Sequence, residues 1–198
     1  MRIEGVPAST GYAEGPLFDL DRPPAAYTSK SSAAEEIAAL ETAIGKAVSR
    51  LSAMIEIAGY DASDQDYFRA RAADLRDIRD QVLRALSEDG EPTAPLGAIF
   101  HGEDIAPTRF LEIDWSAGGG IALRAGSTAS HVAMLARARG VPMVVGLGTF
   151  PASLAGMALL DAEHGGMVLS PSPAEIYAFR QSSSSFAARL GAAQSFLT

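Results

Sequence analysis

The sequence predicts an α/β fold with an inserted α-helical hairpin, and three features of its 198 residues support this prediction. Strand-like segments separated by turns fill the first 20 residues, and strands alternate with helices after residue 92. Two long segments with helical periodicity lie between these regions. A short turn joins the two segments, so we expect them to pack as antiparallel neighbours.

Composition excludes several classes of function. The length of 198 residues suffices for one domain or two small ones, and the hydrophobic content of 47% is ordinary for a chain that buries a sizeable core. The absence of cysteine excludes disulfides and thiolate metal sites. The net charge of −8 argues against nucleic-acid binding, which needs clustered Lys and Arg. No segment suits a membrane span, and residues 1–5 lack a signal-peptide core, so we expect a cytoplasmic protein that does not bind membranes.

The N-terminal elements follow from local signals. Strands are predicted up to about Leu20, with turns at Gly11 and at Gly15-Pro16. A helix is predicted over 32–57, where Glu35 completes a capping box and apolar residues form one stripe. These apolar residues are Ile37, Leu40, Ile44, Val48, Leu51 and Ile55. After a turn over 58–62, a second helix is predicted over 63–87.

The C-terminal elements alternate between strands and helices. Strands are predicted at 97–101, 120–123, 157–161 and 167–169, and a helical turn at 107–112. The last two strands form a hairpin across 162–166. A helix begins at Pro173, and we expect the Ser182–Ser185 run to interrupt it and to lead into an alanine-rich tail.

The most informative segment surrounds His131. Turn and N-cap residues at Gly126 to Ser130 precede a short helix that Gly140 ends, and a strand over 141–145 follows. The first turn of a helix has four unpaired N–H groups and the positive end of the helix dipole, which together favour a bound anion. Neutral imidazole is a nucleophile that can accept a phosphoryl group. On the residues alone, however, a histidine at the helix start without chemistry is favoured.

The run from Gly126 to Gly146 resembles the phosphohistidine signature of the phosphoenolpyruvate-utilising enzymes. Its usual form is Gly-Gly-x-Thr-Ser-His, an apolar helix ending in Ala-Arg, and a Pro-Ala-Val-Val-Gly strand. Three further stretches agree in the family's order: residues 5–11, 71–78 and 104–108. Within the family, the sequence is most similar to Enzyme I of the bacterial phosphotransferase system or to the Enzyme I-like part of multiphosphoryl transfer proteins.

The resemblance implies a swivelling β/β/α phosphohistidine domain formed by residues 1–24 and 92–180. Residues 25–91 would be a reduced subdomain that binds the phosphocarrier HPr, built as a helical hairpin. Residues 181–198 would lead toward a C-terminal phosphoenolpyruvate-binding barrel. No cofactor is expected in this chain, since Mg²⁺ belongs with that barrel, and the chain is expected to be monomeric.

The resemblance also assigns residue roles. His131 would accept a phosphoryl group through Nε2 and pass it to a histidine of an HPr-like carrier, with Ser130, Thr128 and Arg137 stabilising the group. Partner contacts are carried over to three residues of the second predicted helix, Phe68, Arg71 and Arg76.

Three departures from the family pattern are visible. Ala129 and Ala106 stand where the family has hydroxyl side chains, and Thr108 or Thr128 is a candidate substitute partner for the imidazole. Relatives also carry roughly forty to sixty more residues in the helical region, enough for two or three average helices. That segment is absent here, by engineering or by natural reduction. A second hypothesis is therefore a non-catalytic regulatory or binding module, and a third, less favoured one is the swivelling domain of a dikinase.

Other candidate sites are weaker. His101, Glu103 and Asp104 could suggest metal ligands, but their spacing is more typical of a strand end, and we predict no metal site. His164 is expected in an exposed turn. Gly118–Gly120 lacks the Lys-Ser/Thr of a P-loop and is predicted as a turn into a strand. Ser130 and His131 do not form a hydrolase pair, because adjacent helix residues do not face each other.

Overall fold

A computed structural model describes residues 1–21, 32–58, 82, 93–149 and 154–195. The chain divides into two compact units: Met1–Asp21 with Ala94–Thr198, and Arg22–Thr93. Of the second predicted helix only Val82 is described, and it is helical. The rest of that helix and the joining turn lie outside the described residues, so the hairpin and the predicted domain boundaries stay predictions.

The helical unit contains α1, Ala33–Ala58, within one residue of its predicted bounds. The capping box is confirmed, since the N–H and hydroxyl of Ser32 both donate to Glu35 Oε2 at 2.8 Å. These hydrogen bonds hold the pKa of Glu35 below its ordinary value. Ala43 is buried, whereas three residues of the predicted apolar stripe are exposed: Ile37, Leu40 and Ile44.

The other unit is an eight-stranded mixed sheet. Its strands are β1 Arg2–Glu4, β2 Val6–Ser9, β3 Tyr12–Asp19, β4 Ile99–Gly102, β5 Gly120–Leu123, β6 Met143–Val145, β7 Met157–Asp161 and β8 Gly166–Leu169. The order across the sheet is β1-β8-β7-β3-β4-β5-β6-β2. Neighbours from β3 to β6 are parallel, and the remaining pairs are antiparallel. The predicted hairpin of the last two strands is confirmed.

The sheet curls until its two ends meet at Gly5. β1 and β2 lie at opposite ends of the strand order, yet only Gly5 separates them in the chain. The Gly5 N–H donates to the Gly165 carbonyl at 2.8 Å, and a Cβ at Gly5 would lie 2.5 Å from the Val145 carbonyl oxygen. A residue without a side chain is therefore required where the ends meet.

The predicted turn at Gly15-Pro16 is wrong, because both residues lie inside β3. Gly15 pairs with Ala158 of β7, and the Gly97 carbonyl fills the space that a Cβ at Gly15 would need. Glycine thus serves close backbone approach here rather than a turn. Gly11, with φ of +139°, lies in the two-residue connection between β2 and β3.

The helices of this unit are α2 Pro107–Glu112, α3 His131–Arg139 and α4 Pro173–Ser195, and a 3₁₀ turn covers Trp115–Ala117. The first three of these agree with the predicted starts of helices at 107, 131 and 173. None of the helices in the described residues has both the length and the apolar character needed to cross a membrane.

Two apolar cores lie on the two faces of the parallel strands. Successive side chains of β5 point to opposite faces of the sheet: Ile121 and Leu123 belong to one core, and Ala122 belongs to the other. The first core contains Phe110 of α2 and Val132 of α3 and therefore fixes both helices to the sheet. The second core fills the interior of the curled sheet.

The expected interruption of α4 at Ser182–Ser185 is wrong, since the helix continues to Ser195. Two of the serine hydroxyls donate to carbonyls one turn earlier, Ser182 to Ala178 at 3.3 Å and Ser185 to Gln181 at 3.0 Å. This back-bonding lets serine remain inside a helix.

Tertiary contacts hold α4 on β3. The Tyr12 ring lies edge-on to Phe179 at 5.3 Å and to Phe186 at 5.5 Å between ring centroids. Arg180 donates to both carboxylate oxygens of Glu14, at 2.8 and 2.7 Å, which lowers the pKa of Glu14. These contacts on both sides of the serine run favour a continuous helix.

The raised pKa of Tyr12 predicts that the protein loses stability at alkaline pH. Its hydroxyl donates to Glu163 Oε2 at 2.8 Å, and burial followed by this hydrogen bond raises the pKa of Tyr12 from 10.0 to about 12. A folded-state pKa above the unfolded value gives stability that is complete below pH 10 and is lost as pH rises toward about 12. The wild-type free energy of unfolding should fall across this range more steeply than that of Tyr12→Phe. Parallel pH dependences in urea titrations would contradict this prediction.

Candidate functional site

A compact turn brings the chain from β5 to the first residue of α3. Gly126 adopts a φ of +96°, a region that favours glycine. The Ser127 hydroxyl accepts from the Ala129 N–H at 3.1 Å, and the Ser127 carbonyl accepts from the Ser130 N–H at 3.0 Å. The turn is thus closed by its own polar groups, as expected for these residue types.

Ser130 is the N-cap of α3, as predicted. Its hydroxyl accepts from the Ala133 N–H at 3.2 Å, and its carbonyl accepts from the Met134 N–H at 3.1 Å. The four N–H groups at a helix start that lack an i−4 acceptor are here those of Ser130, His131, Val132 and Ala133. The Ser130 N–H bonds to the Ser127 carbonyl and the Ala133 N–H to the Ser130 hydroxyl, so within the described residues the N–H groups of His131 and Val132 remain for a ligand.

His131 is exposed at the first position of α3, beside these two N–H groups. The next two residues, Val132 and Ala133, are buried against the sheet, so packing fixes the helix while the imidazole stays accessible. Within the described part of the chain, no side chain forms a hydrogen bond with the His131 ring. The arrangement offers an anion the positive end of a helix dipole and offers a phosphoryl group a nucleophile.

The structure shows where the two alanines lie that replace hydroxyl side chains of the family. Ala106 is the N-cap of α2 and makes no side-chain capping bond, and Ala129 follows the turn residue Thr128. Thr108 lies in the first turn of α2. The identity of a substitute partner for the imidazole stays a prediction.

Arg137 lies in the last turn of α3, as predicted, and reaches back to the turn that precedes the helix. Its Nη1 donates to the Thr128 carbonyl at 3.0 Å and to the Ala8 carbonyl of β2 at 2.6 Å. Gly140 then ends the helix in the left-handed conformation, with φ of +65°.

A cleft of about 360 Å³ lies at the carboxyl edge of the parallel strands, lined by Glu103, Arg124, Gly148 and Thr149. Arg124 forms ion pairs with Asp21 and with Glu103, the latter at 2.9 Å, and these hydrogen bonds raise its pKa. Arg124 is not among the site residues predicted from the sequence. Its position directly after β5, opposite an acidic residue after β4, was the available signal.

The weaker candidates are also located. His101 is a buried residue of β4, and burial lowers its pKa against the opposing effects of Asp19 and Asp21. No group of three His, Asp or Glu residues in the described segments is placed to hold a metal ion. His164 lies exposed in the β7–β8 turn, with Nδ1 2.9 Å from the Asp161 carboxylate.

Gly118 and Gly119 adopt positive φ before β5, which confirms the predicted turn. The predicted partner-binding residues Phe68, Arg71 and Arg76 lie outside the described residues.

Comparison with known families identifies the class of protein. Residues 4–94 match the family described as PEP-utilising enzyme, N-terminal, and residues 94–165 match PEP-utilising enzyme, mobile domain. The second of these matches includes His131 and its turn. The chain therefore belongs to the phosphoenolpyruvate-utilising enzymes.

Two curated relatives show which members of this family the chain is similar to. The chain is 35% identical over 119 residues to multiphosphoryl transfer protein 1 of Escherichia coli K12, covering 57% of this chain and 14% of that protein. It is 34% identical over 108 residues to the phosphoenolpyruvate-protein phosphotransferase of Haloferax volcanii, covering 52% of this chain and 19% of that one. The chain thus spans less than a fifth of either relative.

Solved structures agree in fold. An NMR solution structure of Enzyme I superposes with a TM-score of 0.59 and 18% identity, covering 93% of this chain and 99% of that chain. The N-terminal domain of the nitrogen Enzyme 1 gives 0.54 and 19%, covering 90% and 98%. The fold of this chain is thus the fold of the N-terminal part of Enzyme I.

Proposed function

We propose that this chain is a phosphoryl relay of the phosphotransferase system, in which His131 carries the phosphoryl group. The observation that supports this most strongly is the exposed imidazole beside two N–H groups without helical acceptors, at the start of α3. Family membership supports the same chemistry in general terms. The receiving partner would be a histidine of an HPr-like carrier.

The transfer needs a neutral imidazole. The lone pair of Nε2 would form the N–P bond while the bond from phosphorus to the donor breaks, and the donor atom keeps that electron pair. Transfer to the carrier is the same displacement in reverse, with Nε2 as leaving group and a carrier imidazole as nucleophile. Such a reaction requires mainly positioning and charge stabilisation from the protein.

Ser130 and Thr128 would assist His131. The Ser130 oxygen already accepts from Ala133, which leaves its own hydrogen free to donate to a phosphoryl oxygen. The N–H groups of His131 and Val132 would hold the other oxygens at the helix start. Arg137 would add positive charge to this end of the unit, although its Nη1 already binds two carbonyls.

The phosphoryl donor would belong to another part of the system, whereas the docking surface would be the helical region of this chain. In complete relatives the phosphoryl group would come from phosphoenolpyruvate in a C-terminal domain that uses Mg²⁺. For this chain, a phosphorylated carrier can serve as donor by the reverse reaction. Residues 25–91, with Phe68, Arg71 and Arg76, would provide the carrier contact, weakened by the shortened helical region. We further propose a cytoplasmic location and a monomeric state.

A non-catalytic module of the same fold is the second candidate. It is favoured by one observation, namely that Ala106 and Ala129 supply no hydroxyl to the imidazole. Such a module would bind a partner without accepting phosphate.

The experiment is transfer from a phosphorylated HPr-type carrier, followed by phosphorus NMR and by long-range ¹H–¹⁵N spectra of the three histidines. We expect a phosphohistidine signal and a perturbed Nε2 resonance for His131 only. A signal on His164, or none from a folded chain, would contradict the relay and favour the non-catalytic module.

A further inference from the structure

The edge strand β2 contains a β-bulge beside the candidate site. Val6 and Pro7 pair with Val145 and Val144 of β6, but the next pair is Ser9 with Met143. Ala8 is therefore the extra residue of the bulge and has no partner on β6. It is only 4% exposed, so an unbonded carbonyl there would be costly.

Arg137 supplies the missing donor. The 2.6 Å bond from its Nη1 to the Ala8 carbonyl satisfies the bulge, and the 3.0 Å bond from the same nitrogen holds the Thr128 carbonyl. Hydrogen bonds from a charged donor are about twice as strong as neutral ones. One guanidinium nitrogen thus ties the sheet edge to the turn that precedes His131.

The Thr128 carbonyl is important because of its place in the helix. In a helix extended by one turn, this oxygen would accept from the Val132 N–H, four residues later. Here it bonds to Arg137, and the extended ψ of 157° at Ser130 prevents the helix from beginning any earlier. The Val132 N–H consequently has no helical acceptor.

We infer that Arg137 is a positioning residue: through the Thr128 carbonyl and the Ala8 bulge, it fixes the turn so that the first N–H groups of α3 stay available to a phosphoryl group. The use of those groups rests on the proposed function. Arg137 thus has an indirect role, since it acts through backbone carbonyls rather than on the phosphoryl oxygens.

Arg139 offers a matched control. It lies in the same last turn of α3 and carries the same charge, but its guanidinium lies over the Phe110 ring, 5.7 Å from the centroid. Arg137→Met and Arg139→Met therefore remove the same charge from the same helix end. Only the first removes the bonds to Ala8 and Thr128.

The test measures three quantities in each variant: the steady-state kcat and KM for phosphoryl exchange between a phosphorylated HPr-type carrier and the isotope-labelled unphosphorylated carrier, in which His131 is loaded and unloaded at each turnover, and the exchange rate of the Ser130 N–H by NMR. For Arg137→Met we expect kcat to fall about tenfold or more with KM retained, because small misplacements at a reaction centre are costly. The Ser130 N–H should also exchange faster. Arg137→Lys should recover part of both losses, and Arg139→Met should match the wild type.

Wild-type kcat and Ser130 exchange in Arg137→Met would overturn the inference, as would equal losses in Arg139→Met. If the wild type itself takes up no phosphate, the proposed function fails, and exchange alone decides the inference. Faster Ser130 exchange confined to Arg137→Met would then support the positioning role, and unchanged exchange would refute it.

Discussion

His131→Ala is expected to abolish phosphoryl uptake from a phosphorylated carrier, whereas His164→Ala should leave uptake at the wild-type level. Both side chains are exposed, and each variant removes one imidazole. Only His131 lies at the start of a helix, next to N–H groups that can hold phosphoryl oxygens. Removing the nucleophile leaves no atom to form the N–P bond, so the loss should be complete rather than partial.

The control for this experiment is stability. The His131 side chain is exposed, and surface substitutions of this kind usually change the free energy of unfolding by less than about 0.5 kcal/mol. The His131→Ala and wild-type proteins should therefore unfold at similar urea concentrations. Phosphate retained on His131→Ala, detected as an acid-labile label, would show that another residue is the acceptor.

The elements around His131 were predictable from sequence because their signals are local. Ser130 caps α3 through its own hydroxyl, and Gly140 ends it with a left-handed conformation. Each feature depends on residues at most four positions away. The capping box of Ser32 and Glu35 at α1 is predictable for the same reason.

Tertiary contacts overrode local signals at two places. Gly15-Pro16 has the composition of a turn, yet β7 and the Gly97 carbonyl hold it in a strand. The serine run has low helix propensity, yet aromatic contacts of Phe179 and Phe186 with Tyr12 hold the helix on either side of it. In both cases the deciding contact comes from a residue distant in sequence.

The candidate site also combines features that are predictable from local sequence with features that depend on residues distant in the chain. The nucleophile and its cap follow from one continuous segment, but one of the two acceptors of Arg137, the Ala8 carbonyl, lies 129 residues earlier in the chain. The Ala8 bulge that provides this acceptor depends on the register between β2 and β6. Register in a mixed sheet is set by the complete fold, and no local pattern in residues 6–9 indicates it.

Phe110→Ala is expected to destabilise the sheet unit by about 3–5 kcal/mol, a large fraction of the 5–15 kcal/mol typical of a domain. Phe110 is fully buried in the core that also contains Val132 and Ala136 of α3. Its ring lies 5.2 Å from that of Trp115 and 5.7 Å from the Arg139 guanidinium. Truncation would leave a cavity under α3, and urea denaturation would measure the loss.

The consequence for function follows from the position of that cavity. α3 carries His131 on its exposed side and rests on Phe110 through its buried side, so a loosened helix should also slow phosphoryl transfer at temperatures where the variant is folded. Tyr177→Ala is the matched control, because Tyr177 is a helical aromatic residue that is 68% exposed and should cost about 0.5 kcal/mol or less. Equal destabilisation by the two variants would mean that the core under α3 does not hold the helix to the sheet.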